Sequence, residues 1–514
     1  MADVTFKYKV QLSVGVWTDI SDDALQNVST SAKRGVDGNG PMDCVAGTGQ
    51  CQYTLRNDGD RPGKAMGRYS PVNAACLAGW TFGIPFKLVA VYLGVEYTRF
   101  TGKLRVIYPD SGVNEKLQVL VTAYDVMRDL AETDIREIGI QLNQTEAEIV
   151  TNVLAALPTA SQPIATDIDF GVDTYPYALD DIGVSVKALS VIADAARSAF
   201  SFVAVKGDGT LIMRSRHTRA LAASLYTFAD DAEALDVPAD LEGVYNLVRV
   251  TIHPKTIDAA ATTVLYALTG AVPVVQVGTP LTIWGDYNDP TNAQKLIGGT
   301  AVVTALVAYP TASYDYAGNS AIDGTGSDQT ANLSIVATAF ASTVKLVVTN
   351  NGAVPIYLVA PSTTVPMLRV RGKGVYDRGP QTFEAMTVQD YGTRSLEIDM
   401  PYQDDPDIGQ SAATFVENQY DSLTRQARSL VFKANKSHDK MLCALQVEPG
   451  DRITVSETVT GLVLVEANVQ SVADDIIENV WTCTLGLAPA DTFAFWQLGI
   501  AGASELGETT VLGF

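Results

Sequence analysis

The sequence predicts a mainly β protein of several domains, with a smaller α/β part. From Val4 to Ser13, apolar and polar side chains alternate with a period of two, which is typical of a strand that buries one face. The chain has 41 Gly and 22 Pro but only 18% charged residues, a composition that favours turns over long helices. Its 514 residues are too many for one core, so we expect three or four domains of about 100–150 residues each.

Residues 1–125 predict a first β-barrel domain. After the opening strand, further segments with strand-like composition are separated by turns that contain Gly or Pro: Gln50–Leu55, Ile84–Leu93, Tyr97–Ile107 and Leu117–Tyr124. Five or so short strands with regular turns indicate a small barrel or a sandwich. The segment Arg56–Pro71 is dense in Gly, Asp, Asn and Pro. It is predicted to be a loop, because Pro lacks an N–H and Gly lacks a constraining side chain.

Residues 126–241 change to a mixed α/β pattern. Thr145 and Glu148 have the spacing of a capping box, and apolar residues at helical spacing follow them. A second helix is predicted over Val186–Phe200, where apolar residues again recur on one face. The turn Gly207–Gly209 contains Asp-Gly between two apolar runs, which predicts a hairpin.

Residues 258–380 predict an inserted β-sandwich. This segment is rich in Ala, Val, Thr and Gly and has almost no helical period. Its candidate strands are Val264–Leu268, Val344–Thr349, Ile356–Val359 and Met367–Arg371.

The segments on either side of the sandwich, 242–257 and 381–497, predict a second β-barrel that is split by the insertion. Ser411 is predicted to cap a helix within it. The candidate strands are Asn246–Ile252, Ser395–Met400, Ala444–Val447, Ile453–Val455, Leu462–Val469 and Trp481–Leu485. Residues 498–514 are small and polar and form a C-terminal extension.

The formal net charge of −22 limits the classes of partner. Proteins that grip nucleic acid use a basic face, so an excess of 58 acidic over 36 basic residues argues against such a surface. DNA that only passes by is compatible with it, because an acidic wall repels phosphates and leaves a transiting duplex unbound. A high net charge is equally typical of proteins that are simply soluble.

Cysteine usage and targeting signals indicate synthesis in a cytoplasm. No C-x-x-C pair occurs, so neither a zinc ribbon nor a redox motif is predicted. Reduced thiols are expected, although Cys44 and Cys51 flank one loop and have the option of pairing. The N-terminus lacks the apolar region of a secretory signal, and no run of about 18 apolar residues predicts a membrane span.

The sequence carries no strong catalytic or cofactor signature, so we predict that the protein is not an enzyme and binds no cofactor. The three histidines, His217, His253 and His438, are far apart, and no H-E-x-x-H motif occurs. The glycine-rich pieces 47–49 and 372–374 do not match a phosphate-binding loop and are assigned to turns.

Two further sets of residues are candidate sites. Asp323 and Asp328 flank a Gly turn and are a weak calcium candidate, but the turn lacks the length and terminal Glu of an EF-hand, and a plain turn is favoured. Four basic residues lie in the predicted loop and are candidates for contact with acidic neighbours, the alternative being a solvated loop: Arg56, Arg61, Lys64 and Arg68.

The stretch Cys44–Asn73 combines a small-residue turn, the pattern Q-x-x-L-x-N and a G-R-Y-S-P close. It resembles the first β-barrel of tail-tip, or baseplate hub, proteins of long-tailed (siphovirus-like) bacteriophages and related phage-derived particles. Other segments in matching order extend the resemblance over most of the chain: Trp17 with the Asp19–Ser21 turn, Tyr124–Leu130, Gly207–Arg216, Asn246–Val250, Tyr391–Leu396 and Pro449–Asp451. The central piece from Asp286 to Asn350 resembles a sandwich found in some of these proteins.

The resemblance implies a homotrimer whose two barrels per subunit form a pseudo-sixfold ring that continues the tail tube. It also implies partners: distal tail and tail tube proteins, the tape-measure protein, and tail fibre or central tip proteins. The implied role is structural, at the virion tail tip, in assembly, host attachment and DNA ejection, with genomic DNA passing through the channel without sequence-specific binding. The chain carries no segment that matches a fused peptidase or lysozyme.

Two alternatives remain open at this stage. One is a carbohydrate-binding or carbohydrate-degrading virion or secreted β protein, since acidic pairs such as Asp404-Asp405 and 21 Tyr are the residue types that sugar enzymes use. The other is the equivalent hub of a contractile injection system or a gene-transfer particle, for which the same fold is expected.

Overall fold

The computed structural model describes residues 4–110, 116–135, 137–179, 186–238, 241, 243–288, 296–311, 313–360, 366–421 and 427–490. Strands dominate these residues, so the predicted mainly β class is confirmed. The predicted boundary at 497 and the C-terminal extension 498–514 lie outside the described residues.

The described residues up to 124 form seven strands. They are β1 (Val4–Ser13), β2 (Val16–Asp19), β3 (Thr30–Gly35), β4 (Gln50–Arg56), β5 (Pro85–Tyr92), β6 (Val95–Pro109) and β7 (Gln118–Tyr124). The alternation predicted for the opening strand is confirmed, because Val4, Phe6, Tyr8 and Val10 are buried. The segment between β4 and β5 has no regular element, as predicted.

The next part of the chain mixes helices and short strands. They are α1 (Val126–Glu132), β8 (Asp134–Ile135), β9 (Gln141–Thr145), α2 (Glu146–Ala155), β10 (Ala165–Ile168), β11 (Thr174–Ala178), β12 (Val186–Lys187), α3 (Ala188–Ala199), β13 (Phe202–Val205), β14 (Thr210–Arg214), α4 (Arg216–Leu221), β15 (Ser224–Ala229) and β16 (Ala234–Asp236). The capping box of Thr145 and Glu148 is confirmed, and so is the hairpin of β13 and β14. Helices α2 and α3 bury their apolar faces in a core shared with this hairpin.

The strand before the predicted sandwich and the strands within it follow. They are β17 (Leu247–Ile252), β18 (Lys255–Ile257), β19 (Thr263–Ala267), β20 (Val274–Val275), β21 (Leu281–Asp286), β22 (Leu296–Thr300), β23 (Gly318–Asn319), β24 (Leu333–Ala339), β25 (Thr343–Asn350), β26 (Ile356–Leu358) and β27 (Arg369–Asp377). Strands β18 to β27 form three small sheets around one apolar cluster drawn from residues 265–370. This segment therefore has its own core.

The last described part contains β28 (Gln381–Met386), β29 (Ser395–Met400), α5 (Pro406–Tyr420), β30 (Ser429–Lys433), α6 (His438–Gln446), β31 (Arg452–Glu457), β32 (Leu462–Ile477) and β33 (Val480–Pro489). Strands β28, β17 and β29 make a separate three-stranded sheet, which α5 covers. The strands assigned to a split second barrel are thus distributed over two sheets.

Among the described residues, one 13-stranded sheet joins the N-terminal strands β1–β7 to the last strands, β30–β33. Its main path runs β16-β30-β33-β32-β3-β4-β7-β6-β5-β1-β2, and β31 and β15 extend it from β32. The halves meet where β3 pairs with β32, from Thr30 opposite Ile476 to Gly35 opposite Ser471. They also share one apolar core, in which Phe6 of β1 packs edge-on against Trp481 of β33 at 5.6 Å.

This arrangement differs from the two separate barrels that the sequence predicts. Among the described strands neither half closes on itself, because the free edge of β3 is used by β32 rather than by a strand of its own half. Strands β15 and β16, which lie in the segment predicted as the mixed domain, also belong to the large sheet.

Three local predictions are wrong. Ala444–Val447 is not a strand, because Ser437 caps α6 with its hydroxyl and the helix runs to Gln446. Helix α5 begins at Pro406 with Asp405 as its cap, so Ser411 lies inside it. Gly372–Gly374 is part of β27 rather than a turn, and a Cβ on Gly372 would come within 2.5 Å of Leu265 Cδ1.

Candidate assembly surface

The loop between β4 and β5 is anchored on one buried carboxylate, that of Asp23, which is 4% exposed. Lys64 Nζ donates to Asp23 Oδ2 at 2.8 Å, and the Tyr69 hydroxyl donates to the same oxygen at 2.5 Å. Burial raises the pKa of Asp23, but the hydrogen bonds from Lys64 and Tyr69 outweigh it and the pKa is lowered overall. The carboxylate is therefore ionised and holds the loop against the turn after β2.

Three of the four basic candidate residues lie in this loop, whereas Arg56 is the last residue of β4. All four contact carboxylates of their own chain. Lys64 is hydrogen-bonded to Asp23 as described, and the Arg61 and Arg68 guanidinium groups lie 3.6 and 3.9 Å from Asp23. Arg56 lies 4.0 Å from Asp58. All four side chains keep between a quarter and a half of their surface exposed, so they pair internally and still present charge outward.

The rest of the loop is held by an amide and two aromatic rings. Asn57 accepts a hydrogen bond from the Tyr69 backbone N–H at 2.9 Å and donates to the Ser70 hydroxyl at 2.9 Å. Trp80 Nε1 donates to the Tyr69 carbonyl at 3.0 Å, and the two rings meet edge-to-face at 4.8 Å. A segment without regular structure is thus fixed in one conformation.

Exposed apolar side chains collect at the end of the sheet where this loop lies. We call this set the apolar rim: Val14, Val16, Met66, Val72, Phe82 and Tyr108. Val14 and Val72 are 99% and 100% exposed, and the other members are more than half exposed. Apolar side chains that are this exposed and lie at one end of a sheet make that end a candidate contact surface.

Backbone contacts place the members of the rim at the same end. The Asn57 N–H donates to the Leu117 carbonyl at 2.9 Å, which ties the loop to the start of β7. The Gly83 N–H donates to the Leu104 carbonyl at 2.7 Å. Gly79 packs so close to the end of β1 that a Cβ would lie 2.2 Å from the Leu12 carbonyl oxygen. The β1–β2 turn, the loop and the end of β6 therefore adjoin.

A buried ionic network lies away from this rim, where the two halves of the sheet meet. Arg34 on β3 donates to Glu448 at 2.8 Å and to Asp474 on β32 at 3.2 Å. Arg99 on β6 donates to the Leu445 carbonyl at 2.9 Å, and its Nε lies 3.5 Å from Asp474. Burial alone would lower the pKa of Arg34, but the two carboxylates outweigh it and raise the pKa.

The mixed segment joins the same network through the β13–β14 turn. The Gly207 N–H donates to Glu448 at 3.1 Å, and the Thr101 hydroxyl donates to the Gly207 carbonyl at 2.9 Å. A Cβ on Gly207 would lie 2.7 Å from the Arg99 carbonyl oxygen, so only glycine fits here. Three parts of the chain are thus fixed to each other at one point.

The calcium candidates do not converge on a shared position. Asp323 accepts hydrogen bonds from the N–H and hydroxyl of Thr325, and Asp328 accepts the equivalent pair from Thr330. The amide of Asn319 donates to the carbonyls of residues 324 and 326. Each carboxylate therefore stabilises its own turn. Within the described residues, no cluster of three or more His, Cys, Asp or Glu is placed to hold a metal ion.

The histidines and the acidic pair also have local partners. His438 lies in the first turn of α6, where Nδ1 is hydrogen-bonded to the Tyr92 hydroxyl at 2.8 Å, and His253 Nε2 lies 2.6 Å from Asp399. His217 lies in α4. Of the acidic pair, Asp405 accepts from the Asp407 N–H as the cap of α5, and burial raises the pKa of Asp404.

The five cysteines are free thiols, and Cys44 and Cys51 do not pair. Burial raises the pKa of Cys44 to about 11, and of Cys443 to about 12. In the described parts of the chain, no helix is long and apolar enough to cross a membrane.

Sequence analysis missed Asp23, Arg34 and Asp474, the residues that organise the loop and the junction. The available signal for Asp474 was a pair of adjacent acids, Asp474-Asp475, inside a strand whose other residues are mostly apolar. An acid at an inward position of such a strand requires a buried cation. Asp23 gave no comparable signal. It follows Asp22 in a polar turn, where acidic residues are usually exposed to solvent.

Comparison with known proteins identifies the fold. No family model matches the chain, and no curated protein matches it in sequence. Among solved structures, the 43 kDa tail protein of prophage MuSo2 from Shewanella oneidensis aligns with a TM-score of 0.51 at 10% identity, over 95% of this chain and 99% of that one. The two proteins therefore share a fold over nearly their whole lengths.

Two further structures align less closely. The tail protein from Neisseria meningitidis MC58 has a TM-score of 0.46 at 9% identity, over 94% of this chain and 96% of that one. Prophage tail protein gp18 from Listeria monocytogenes EGD-e has a TM-score of 0.39 at 8% identity, over 94% of each chain.

Proposed function

We propose that this chain is a structural protein of a phage tail or phage-derived particle, located at the virion tail tip as part of the baseplate hub. The observation that carries the proposal is the fold shared with a prophage tail protein across 95% of this chain and 99% of the other. A match that spans nearly the whole length of both chains favours a common architecture over one borrowed domain. The role is structural, and we expect no catalytic turnover.

We further propose that three copies form a ring that continues the tail tube. Each copy contributes two halves of one sheet, and each half contains one long strand, β6 with 15 residues and β32 with 16. Two comparable halves per subunit supply six similar positions around a threefold axis. The network of Arg34, Arg99, Glu448 and Asp474 fixes the angle between these halves, which a rigid ring requires.

The apolar rim is our proposed contact with neighbouring proteins of the tail. Side chains such as Val72 that are fully exposed in the single chain become buried when a second surface covers them. The expected partners are distal tail and tail tube proteins and the tape-measure protein. Tail fibre or central tip proteins are expected to attach elsewhere on the hub. The net charge of −22 suits a channel from which genomic DNA is ejected without being held.

Electron microscopy of the purified chain at high concentration, with mass determination alongside, tests the ring. Threefold rings with a central opening wide enough for a DNA duplex are expected. A chain that stays monomeric and also fails to bind distal tail and tube proteins contradicts the proposal. In that case a glycan array and a turnover assay on cell-wall sugars decide whether the protein is instead carbohydrate-active.

The basic loop residues are proposed to contact an acidic neighbour in the ring or in the tube above it. Arg68 tests this, because its side chain is 27% exposed while its Nε lies 3.9 Å from Asp23. Arg68→Gln removes the charge, whereas Arg68→Glu reverses it. If the contact exists, Arg68→Glu weakens ring assembly more than Arg68→Gln does; equal assembly of both variants and the wild type removes the contact from the proposal.

A further inference from the structure

The two halves of the large sheet repeat one strand order. Across the sheet, the first half runs β3-β4-β7-β6-β5-β1 and the second runs β16-β30-β33-β32-β31-β15. Corresponding strands also follow each other in the same order along the chain. The outermost strands differ in direction, since β1 is antiparallel to β5 whereas β15 is parallel to β31. The repeat makes β16 the counterpart of β3 and makes β6 the counterpart of β32.

Backbone hydrogen bonds identify the corresponding residues of β6 and β32. The Gly83 N–H donates to the Leu104 carbonyl at 2.7 Å, and the Gly450 N–H donates to the Val469 carbonyl at 2.8 Å. The N–H groups of Leu104 and Val469 each donate back to the residue after that glycine, at 3.0 and 2.7 Å. In both strands the register then shifts directly after this residue. Residues 105–109 of β6 therefore correspond to residues 470–474 of β32.

The end of β32 has a strand beside it, whereas the corresponding end of β6 has none among the described strands. Strand β31 pairs with β32 as far as Asn468, and β3 continues along the same edge from Ser471 to Ile476. Strand β5 pairs with β6 as far as Lys103. Beyond Lys103, the strands that the structure describes leave this edge of β6 unpaired. The first half thus repeats the surface that receives β3, but not the strand that covers it.

Side-chain exposure follows the same difference. Val106 and Tyr108 of β6 are 39% and 64% exposed, and Phe82, which precedes Gly83, is 55% exposed. The counterparts in the second half are buried or half-buried: Ser471, Ala473 and Pro449. Pro449 packs against β3, where a Cβ on Gly35 would lie 3.1 Å from its Cγ. An apolar surface that β3 covers in one half is therefore exposed in the other.

The counterpart of β3 also has a free edge. Strand β16 pairs with β30 through Ala234–Asp236 and ends the main path of the sheet, so its other edge has no partner among the described strands. Six strands separate β16 from β6 in the same chain. At about 4.8 Å per strand, the two edges lie more than about 30 Å apart along the sheet. Strand β16 can therefore reach the end of β6 only in a second copy.

Charge favours the end of β6 over the end of β32 as the site for β16. Strand β3 carries Lys33 and Arg34, and it faces the buried Asp474 of β32. Strand β16 has the sequence Ala-Leu-Asp and contains no cation, so it does not suit an acidic edge. Residues 105–109 of β6, Arg-Val-Ile-Tyr-Pro, contain no acid. Electrostatic repulsion thus excludes the wrong pairing and leaves the right one possible.

We propose that β16 of one copy covers the exposed end of β6 in the next copy, as β3 covers the end of β32 within one chain. This inference rests on the ring proposed above and identifies the surfaces that join its copies. The contact is head-to-tail, because β16 and β6 are different surfaces, and contacts of this type generate closed rings. Pro109 has no N–H, so fewer backbone hydrogen bonds form here than between β3 and β32.

Cross-linking of full-length variants tests the contact. Asp236→Cys and Tyr108→Cys proteins are mixed and treated with a short bismaleimide, which spans the ~8 Å between diagonal neighbours on paired strands. Val459→Cys replaces Tyr108→Cys in the matched control, because Val459 is exposed but lies in the turn after β31. The untreated positions of the wild type give the background from its own thiols. We expect at least about tenfold more mixed dimer from the Asp236→Cys and Tyr108→Cys pair than from the control, since groups held at an interface react at a high effective concentration.

Electron microscopy and mass determination on the same samples separate this inference from the ring itself. Threefold rings without excess mixed dimer overturn the inference and leave the ring intact. Excess mixed dimer without threefold rings supports the contact and contradicts the ring. Monomers without cross-links overturn both. Rings whose copies are cross-linked through the Asp236→Cys and Tyr108→Cys pair, and not through the control pair, support the inference.

Discussion

Arg34 and Asp474 are 440 residues apart in the sequence, and their side chains meet at 3.2 Å in the interior of the protein. Arg34 is 1% exposed at the side chain and Asp474 is fully buried. The pair lies on β3 and β32, the two strands through which both halves of the large sheet are joined. Asp474 also accepts from Trp481 Nε1 at 3.0 Å, so one carboxylate connects the ionic network to the shared apolar core.

Asp474→Asn is expected to lower the free energy of unfolding by about 3 kcal/mol, since it leaves Arg34 and Arg99 buried with only Glu448 to balance them. Urea denaturation followed by tryptophan fluorescence measures the change. Asp475→Asn is the matched control on the exposed face of the same strand, and its effect is expected within about 0.5 kcal/mol. Equal effects of the two variants would show that the network does not stabilise the junction.

Gly35→Ala is expected to disrupt the pairing of β3 with β32. Gly35 has a φ of 100°, and a Cβ would lie 2.3 Å from the Gln470 carbonyl oxygen and 2.8 Å from Ser471 Cα. Gly15→Ala is the control, because its φ of 79° imposes a similar backbone strain in open space. We expect a loss of about 1–2 kcal/mol for Gly15→Ala from strain alone and a clearly larger loss for Gly35→Ala. Thermal unfolding of both variants gives the comparison.

Elements defined by local pattern were predictable from the sequence, whereas long-range pairing was not. The Thr145–Glu148 capping box and the strand Ser395–Met400 depend on neighbours within a few residues, and both formed as predicted. The edge partner of β3 depends on residues more than 400 positions away, which no local pattern encodes. Ala444–Val447 was wrong because its apolar residues fit a strand as well as a helix, and Ser437 as the cap decides between them.

The candidate site also has features that the sequence predicts and features that it does not. The loop and its four basic residues follow from composition, because Gly, Pro, Asn and Asp exclude a regular ladder. Asp23, the carboxylate that three of them share, did not follow from it, since an ion pair between residues 41 positions apart requires the fold to bring them together. The rim was also not predictable, because exposure of an apolar residue such as Val72 depends on what packs around it.

Asp23→Asn is expected to loosen the loop. The change removes the charge that Lys64, Arg61 and Arg68 share, while the amide retains a similar shape. Trypsin cleaves after Lys and Arg, so digestion at these residues reports opening of the loop. We expect cleavage to be at least about fivefold faster, which corresponds to a free energy of local opening that is lower by about 1 kcal/mol. Asp22→Asn, at the exposed neighbouring carboxylate, is the control and should leave the cleavage rate unchanged.

Asp125 is expected to make stability depend on pH. Its side chain accepts a hydrogen bond from the Met127 N–H as the N-cap of α1. Burial raises the pKa of Asp125 to about 7, above the value of about 3.9 for an unfolded Asp. The folded state therefore binds the proton more tightly, so the stabilisation is fully present below about pH 4 and is lost as pH rises through 7. The wild type loses this contribution to its free energy of unfolding, whereas Asp125→Asn has no such contribution to lose. Relative to the wild type, the free energy of unfolding of Asp125→Asn should therefore rise by about 2 kcal/mol from pH 5 to pH 7. Unfolding free energies at both pH values measure this, and a constant difference between the two proteins would contradict it.

Val72→Glu is expected to block association through the apolar rim without changing the fold. Val72 is fully exposed in the single chain, so a glutamate there is solvated, but burying its charge in an interface is costly. Val459→Glu is the matched control, because Val459 is 92% exposed in the turn between β31 and β32, away from the rim. We expect Val72→Glu to weaken ring formation or binding of a neighbouring tail protein at least about tenfold, as measured by analytical ultracentrifugation, at unchanged thermal stability. Both variants add the same charge to an exposed valine. If both assemble as well as the wild type does, the rim is not the contact. If both lose assembly to the same extent, the added charge rather than its position in the rim is the cause.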